Sequence, residues 1–242
     1  MRILVFQHHP AEHPGVLRDF WKASGHEWTA VELDEGEAIP PLDGFDLLVV
    51  MGGPMDTWQE DLHPWLVPEK AAIRTWVKDL GRPYLGICLG HQLLAAALGG
   101  DVTPMKGPPE VGLAQVTLTP EGLTDPMLKG FGREIETFQW HGAEVSKLPQ
   151  DAVVLAANPA CATQAFRWGS VAYGFQYHVE ITETTVADWE SIPEYFASLQ
   201  KALGPQRAAL LADEVRPRLS AFRQAAHQLN TNLEALLNDR TA

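Results

Sequence analysis

Two segments, far apart in the chain, carry residue types that can do nucleophilic chemistry together. The first is Gly86-Ile87-Cys88-Leu89-Gly90-His91-Gln92, where a cysteine ends an apolar run and glycines stand two residues before and after it. A tight strand-to-helix turn needs close neighbours without a Cβ. Such an elbow holds a thiol clear of the backbone at the carboxyl end of a strand. The start of the following helix favours thiolate over thiol, and its free N–H groups can hold a developing oxyanion. Taken alone, the segment also reads as a small buried cysteine at a turn.

A thiol nucleophile needs a base and a group that orients the base. The second segment, Gly174-Phe175-Gln176-Tyr177-His178-Val179-Glu180, supplies both. Residues i and i+2 of an extended chain share a face. Glu180 can therefore hold one nitrogen of His178 while the other faces a thiol from a neighbouring strand. A surface pair is the plainer reading of His-x-Glu, and its position at a predicted strand end argues against that. A third segment, Met51-Gly52-Gly53-Pro54, ends another apolar strand, and its glycines let backbone N–H groups approach a ligand. No Gly-x-x-x-x-Gly-Lys-Ser/Thr loop accompanies it, which argues against a nucleotide-phosphate cradle.

The elements that must position these groups follow from periodicity. Strands are predicted at 2–6, 27–33, 45–51 and 83–87, with helices at 14–24, 66–80 and 89–98 between or after them. Alternating strands and helices imply a parallel sheet with helices on both faces. From 101 to 178 short β-type runs dominate, at 111–119, 133–139, 152–157, 162–168 and 171–177, and are expected to add antiparallel strands. The fold class is therefore α/β, a doubly wound and mostly parallel sheet with added antiparallel strands and a C-terminal helical extension. The expected division is a catalytic domain over 1–181 and a helical extension over 182–242. In that extension Val215, Leu219, Phe222, Ala226, Leu229, Leu233 and Leu236 recur in steps of four and three. The stripe is expected to pack on its own domain; the alternative is a homodimer or partner seam.

Composition excludes several classes. Of 242 residues, 18 are Lys or Arg and 31 are Asp or Glu, a net charge of −13 that argues against a phosphate-backbone binder. Two cysteines, Cys88 and Cys161, cannot make a disulfide scaffold or a four-thiolate zinc site, and they suit a reducing cytoplasm. The apolar start reads as a first strand, not a signal peptide. No run of about 18 apolar residues is present to span a membrane.

With the three segments placed, residues 1–181 resemble a class I, triad-type glutamine amidotransferase domain of flavodoxin-like fold. The nearest subgroup is the stand-alone, GMP-synthase-like proteins, as Phe138-Gln139-Trp140-His141-Gly142 and Gln164-Ala165-Phe166 indicate. The resemblance implies that Cys88 attacks the amide of glutamine to form a γ-glutamyl thioester. It implies that His178 moves the protons and Glu180 orients it, and that Gly53 and Leu89 form the oxyanion hole. It further implies that Gln92, Trp140 and His141 hold the amino-acid end of the substrate. No cofactor or metal is expected. Ammonia would pass to a synthetase on another chain or be lost, because residues 182–242 are too few for an acceptor domain. The family usually carries proline between the His and the Glu. Val179 stands there, and, being β-branched, it also favours extended backbone, so a triad with looser positioning is expected. A γ-glutamyl peptidase acting on glutathione-like amides, or a regulatory module with a degenerate site, remains the alternative reading.

Other candidates have plainer roles. His8, His9 and His13 crowd the end of the first strand as loop histidines, with no ligand set for a metal. His91 is equally a structural or a pocket-wall residue, Cys161 a spare thiol, and Tyr84 and Trp76 core. Met55, Asp56 and Trp58 follow the glycine pair and could line a pocket, as could Glu110-Val111-Gly112.

Overall fold

The computed structural model describes the backbone of residues 1–241 and the side chains of residues 1–238. The chain runs β1 (Arg2–Gln7), α1 (Leu17–Ala23), β2 (Glu27–Glu32), β3 (Leu47–Val50), α2 (Leu66–Arg74), β4 (Tyr84–Ile87) and α3 (Leu89–Ala97). It continues with β5 (Asp101–Pro104), β6 (Glu110–Leu118), α4 (Pro120–Thr124), β7 (Glu134–His141), β8 (Ala143–Lys147), β9 (Ala152–Ala157), β10 (Ala165–Trp168) and β11 (Ala172–Phe175). It ends with α5 (Thr185–Glu190), α6 (Pro193–Ala208), α7 (Leu211–Val215) and α8 (Leu219–Thr241).

Nine strands form one sheet in the order β2-β1-β3-β4-β11-β10-β9-β6-β7. The first five are mutually parallel, and every later pairing is antiparallel. β5 and β8 pair apart from it. This is a doubly wound α/β fold with an antiparallel wing. In such sheets ligands bind beyond the carboxyl ends of the strands, where the strand order reverses. That point lies between β1 and β3, next to the end of β4.

Strand alternation divides the interior into two cores. Ile3, Val5, Leu47 and Val49 face one side, where Leu17 and Trp21 of α1 and Phe222, Ala226, Leu229 and Leu233 of α8 cover them. Leu4, Phe6, Leu48 and Val50 face the other side, against Leu66 and Ile73 of α2 and Leu89, Leu93 and Leu94 of α3. The predicted helix over 66–80 is α2 continued by one π-helical turn over Thr75–Asp79.

The 4-3 stripe of α8 is thus used inside the chain. Phe222 and Ala226 are 1% exposed, Leu233 3% and Leu229 8%, so the stripe has no apolar face left for a homodimer seam. Leu237 is buried in place of the anticipated Leu236, which is only half-buried. A straight helix drifts from a strict heptad, and here nothing supercoils to correct it. Each of these large side chains gains about 2 kcal/mol by leaving water. The helical segment after residue 181 shares one continuous core with the sheet. Among the described residues, no helix is long and apolar enough to cross a membrane.

Candidate active site

Cys88 follows β4 directly and precedes the first residue of α3, with φ of 53° and ψ of −105°. A side chain in this left-handed region costs on the order of 1–3 kcal/mol and persists only where the surroundings impose it. Here they do. A Cβ on Gly90 would lie 2.0 Å from the Val50 carbonyl oxygen, and one on Gly86 would lie 2.5 Å from the Gly90 carbonyl. Tyr84 Oη donates to the Gly90 oxygen at 2.7 Å, and Cys88 N donates to the Phe175 oxygen at 2.8 Å. Strand and helix are drawn so close that the turn between them has one conformation. This is the elbow expected from the flanking glycines.

His178 lies beyond β11, which ends at Phe175, and not on the strand end that the sequence suggested. The antiparallel wing takes over its backbone. Phe138 N donates to the His178 oxygen at 3.1 Å, and His178 N donates to the Phe138 oxygen at 2.8 Å. Its Nδ1 lies 2.6 Å from Glu180 Oε1, so Nδ1 carries the proton of that hydrogen bond and Nε2 is turned toward Cys88. Nε2 is buried and has no hydrogen-bond partner among the described residues. The Cys88 thiol leans toward the Trp140 carbonyl, 3.8 Å away. Trp189 closes the other side of the imidazole, edge to face, with ring centres 4.7 Å apart.

Val179 corrects the expectation of a looser triad. Its N–H donates to Glu180 Oε2 at 3.0 Å, a bond that proline cannot make. Both carboxylate oxygens are thereby engaged. The carbonyl of Glu180 is fixed in turn by Val16 N at 2.8 Å.

Charge follows from this geometry. Burial alone would depress the His178 imidazolium, but Glu180 and Cys88 outweigh it and hold its pKa well above the ordinary value. Burial pushes the Cys88 thiol up, against the opposing pull of His178. His91, expected either in the pocket wall or in the structure, is a neutral packing residue. Burial lowers its pKa to about 3, and its ring sits edge-on to Phe166.

A cavity of about 150 Å3 opens beside the thiol. Gly53, Leu89, Gln92, Trp140 and His141, all singled out in the sequence, line it together with Cys88. Leu89 is the first residue of α3, where an N–H has no intrahelical partner. Gln92 Nε2 donates to the Ala143 carbonyl at 3.3 Å and to Gln176 Oε1 at 3.0 Å. Both His141 ring nitrogens face acceptors, the Ala143 carbonyl at 2.9 Å and Glu110 at 3.2 Å, so its ring belongs to the scaffold. The Trp140 indole donates to Ser198 Oγ at 2.9 Å. Met55 and Asp56 reach the cavity, and burial raises the Asp56 carboxyl. Trp58 points to solvent, 43% exposed. Glu110 lines a separate open groove and meets this site only through His141.

Several site residues escaped the sequence reading. Glu194, Tyr195 and Ser198 of α6 line the cavity, so the C-terminal segment builds part of the site. His8 is a pillar of the glycine loop: one ring nitrogen meets the Gly52 carbonyl and the other the buried Glu69, each at 2.8 Å. His9 and His13 accept backbone N–H groups of their own loop. Glu12 is buried against Tyr195. Its only signal in the sequence is its place in a His-rich segment just after β1, at the edge where ligands bind. Among the described residues, no group of three or more His, Cys, Asp or Glu side chains is arranged to hold a metal ion.

Comparison with known proteins bears on the same stretch. The family described as glutamine amidotransferase class-I matches residues 16–188. The chain belongs to that family. It is 34% identical over 191 residues to the glutamine amidotransferase-like protein YfeJ of Salmonella typhimurium (strain LT2), covering 77% of this chain and 78% of that one. It is 34% identical over 155 residues to a separate subunit of the glutamine-hydrolyzing GMP synthase of Saccharolobus solfataricus, covering 61% of this chain and 77% of that one. In three dimensions it matches a glutamine amidotransferase from Thermotoga maritima with a TM-score of 0.84 and 27% identity, over 98% of both chains. That match extends the likeness to this amidotransferase chain's C-terminal helices.

Proposed function

We propose that this class I amidotransferase chain hydrolyses the side-chain amide of glutamine through Cys88 and releases ammonia for an acceptor on another chain. The observation that carries this reading is the strained elbow thiol. It faces the free nitrogen of a His178 whose other nitrogen is bonded to Glu180, beside a cavity walled by Gly53 and Leu89.

The chemistry follows from the placement of the groups. His178 Nε2 takes the thiol proton as Sγ attacks the amide carbon. The charge that develops on the amide oxygen is met by the N–H groups of Gly53 and Leu89. Imidazolium then gives its proton to the departing nitrogen, the C–N bond breaks, and ammonia leaves a γ-glutamyl thioester. Water, losing its proton to Nε2, attacks the thioester; glutamate departs and the thiol regains its proton. Glu180 keeps the proton of the resting imidazole on Nδ1 and stabilises the imidazolium in both halves. Gln92, with its amide hydrogens committed to Ala143 and Gln176, offers its oxygen to the substrate ammonium, and the Trp140-His141 backbone borders the same end.

The cavity favours glutamine over γ-glutamyl peptides. It is small, α6 walls one side, and its lining holds Asp56 and Glu194 but no Lys or Arg to receive a second carboxylate. An ammonia acceptor on another chain agrees with the size of the relatives. The chain spans 77% of the separate GMP synthase subunit from Saccharolobus solfataricus but 27% of the GMP synthase of Neisseria meningitidis serogroup C. Steady-state turnover of glutamine against γ-glutamyl dipeptides tests the reading. Glutamine is expected to have the higher kcat/KM; preferred turnover of the dipeptides would replace it with a peptidase.

A further inference from the structure

Glu12 is a buried carboxylate next to the catalytic groups, and the mechanism above does not use it. It is 1% exposed. Oε1 receives the hydroxyl of Tyr195, which is itself 6% exposed and lines the cavity. Oε2 has no hydrogen-bond partner among the described residues. It is pressed against Gly52, where a Cβ would lie 2.4 Å from it. Buried charges are ordinarily paired, and buried carboxylate oxygens ordinarily accept hydrogen bonds. This one is half satisfied, and no Lys or Arg is among the groups that face it.

The groups that face Glu12 come from every element around it. His178 and Glu180 lie beyond β11, Tyr195 is on α6, and His8 is at the end of β1; the charge of Glu12 also reaches Cys88 at the head of α3. His8 is already bonded to Glu69 and the Gly52 carbonyl. An ionised Glu12 therefore adds a negative charge to a site that holds Glu180 and must also hold a thiolate. Its proton removes that charge. Packing fixes the geometry around it: Trp189 donates to the Ala11 carbonyl at 3.1 Å, and its ring meets both Tyr195 and His178.

We infer that Glu12, held by Tyr195, is a positioning residue that sets the charge state of the Cys88–His178 pair. With its proton on, the pair can form thiolate. With its proton off, negative charge holds the proton on the thiol and on His178. Burial raises the Glu12 carboxyl to about 7, against the pull of His178 and Tyr195, so both states are populated near neutrality. The inference rests on Cys88 as the nucleophile, but it needs no particular substrate.

The test is the pH dependence of Cys88 alkylation by iodoacetamide in the full chain, read by mass spectrometry of the Cys88 peptide. In Glu12→Gln the rate midpoint is expected to fall by about one pH unit, a tenfold gain in thiolate at a pH below the midpoint. Tyr195→Phe removes the hydrogen bond that favours ionised Glu12, and is expected to move the midpoint the same way by less. Thermal melts identify a variant that has lost its fold, and the other variant then decides. Unchanged or raised midpoints in the folded variants overturn the inference, even if turnover falls. Shifted midpoints in a protein that does not hydrolyse glutamine leave the inference standing and remove the proposed substrate.

Discussion

Replacing Glu180 with Gln keeps the shape of the side chain and removes its charge. In the wild type, Oε1 accepts from His178 Nδ1 at 2.6 Å and Oε2 accepts from Val179 N at 3.0 Å. An amide has one oxygen for these two donors. If the oxygen faces Val179, the NH2 group meets Nδ1 and forces the proton to Nε2, the atom that must accept from the thiol. If it faces Nδ1, the Val179 N–H is buried without a partner, at about 1–3 kcal/mol. A hydrogen bond to a charged group is worth about 1.5–3 kcal/mol, and imidazolium exists only in the reacting states. Thioester formation should therefore slow by roughly 10- to 150-fold, at about 1.4 kcal/mol per factor of ten. The wrong tautomer adds to that loss. Stability changes with a defined sign. The raised pKa of His178 contributes stability that is fully present below about pH 6.5, the unfolded value, and is lost as pH rises through the folded value. The gap in stability between wild type and Glu180→Gln should be widest in acid and narrow as pH increases. Ammonia release under single turnover and melts across pH measure both effects. A single-turnover rate within about threefold of wild type, far inside the loss expected from that hydrogen bond, would refute the assigned role of Glu180.

Other perturbations probe separate parts of the structure. Cys88→Gly should abolish turnover while raising stability by about 1 kcal/mol, because glycine accepts the left-handed φ without strain; a lower melting temperature would contradict this. Gly90→Ala drives a methyl into the Val50 carbonyl and should give little soluble protein, which expression yield will show. His8→Gln breaks the pair with buried Glu69 and should cost about 3–5 kcal/mol. Burial opposes the raised His8 pKa and Glu69 drives it, so this loss should be largest below about pH 6.5 and shrink as pH rises through the folded value; urea melts at several pH values will follow it. Phe222→Ala should cost about 3–5 kcal/mol by opening a cavity under α8, with a wild-type melting temperature independent of protein concentration; a concentration-dependent one would restore the dimer seam.

The legible parts of this protein are those where local sequence and local geometry coincide. Gly86 and Gly90 announce an elbow because only residues without a Cβ fit the approach of α3 to β3 and β4. His178 and Glu180 are two residues apart, so their pairing needs no knowledge of the fold. The α8 stripe is visible as a period, although which surface it covers is decided by α1 and the sheet. Glu12 and Tyr195 are 183 residues apart, and their meeting depends on how α6 crosses the end of β1. The Val179 N–H is equally hidden, because a residue type says whether a donor exists and not where it points. The antiparallel wing is foreseeable as strands but not in its order, and that order brings Phe138 of β7 back to His178.

The central claim is that Cys88 becomes acylated by the γ-glutamyl group. Acid-quenching the protein during turnover of glutamine and reading the intact and peptide masses tests it directly. The account predicts a γ-glutamyl adduct on the peptide bearing Cys88, absent in Cys88→Ala and discharged by hydroxylamine. Turnover with no adduct on Cys88, or with an adduct on another residue, would contradict it.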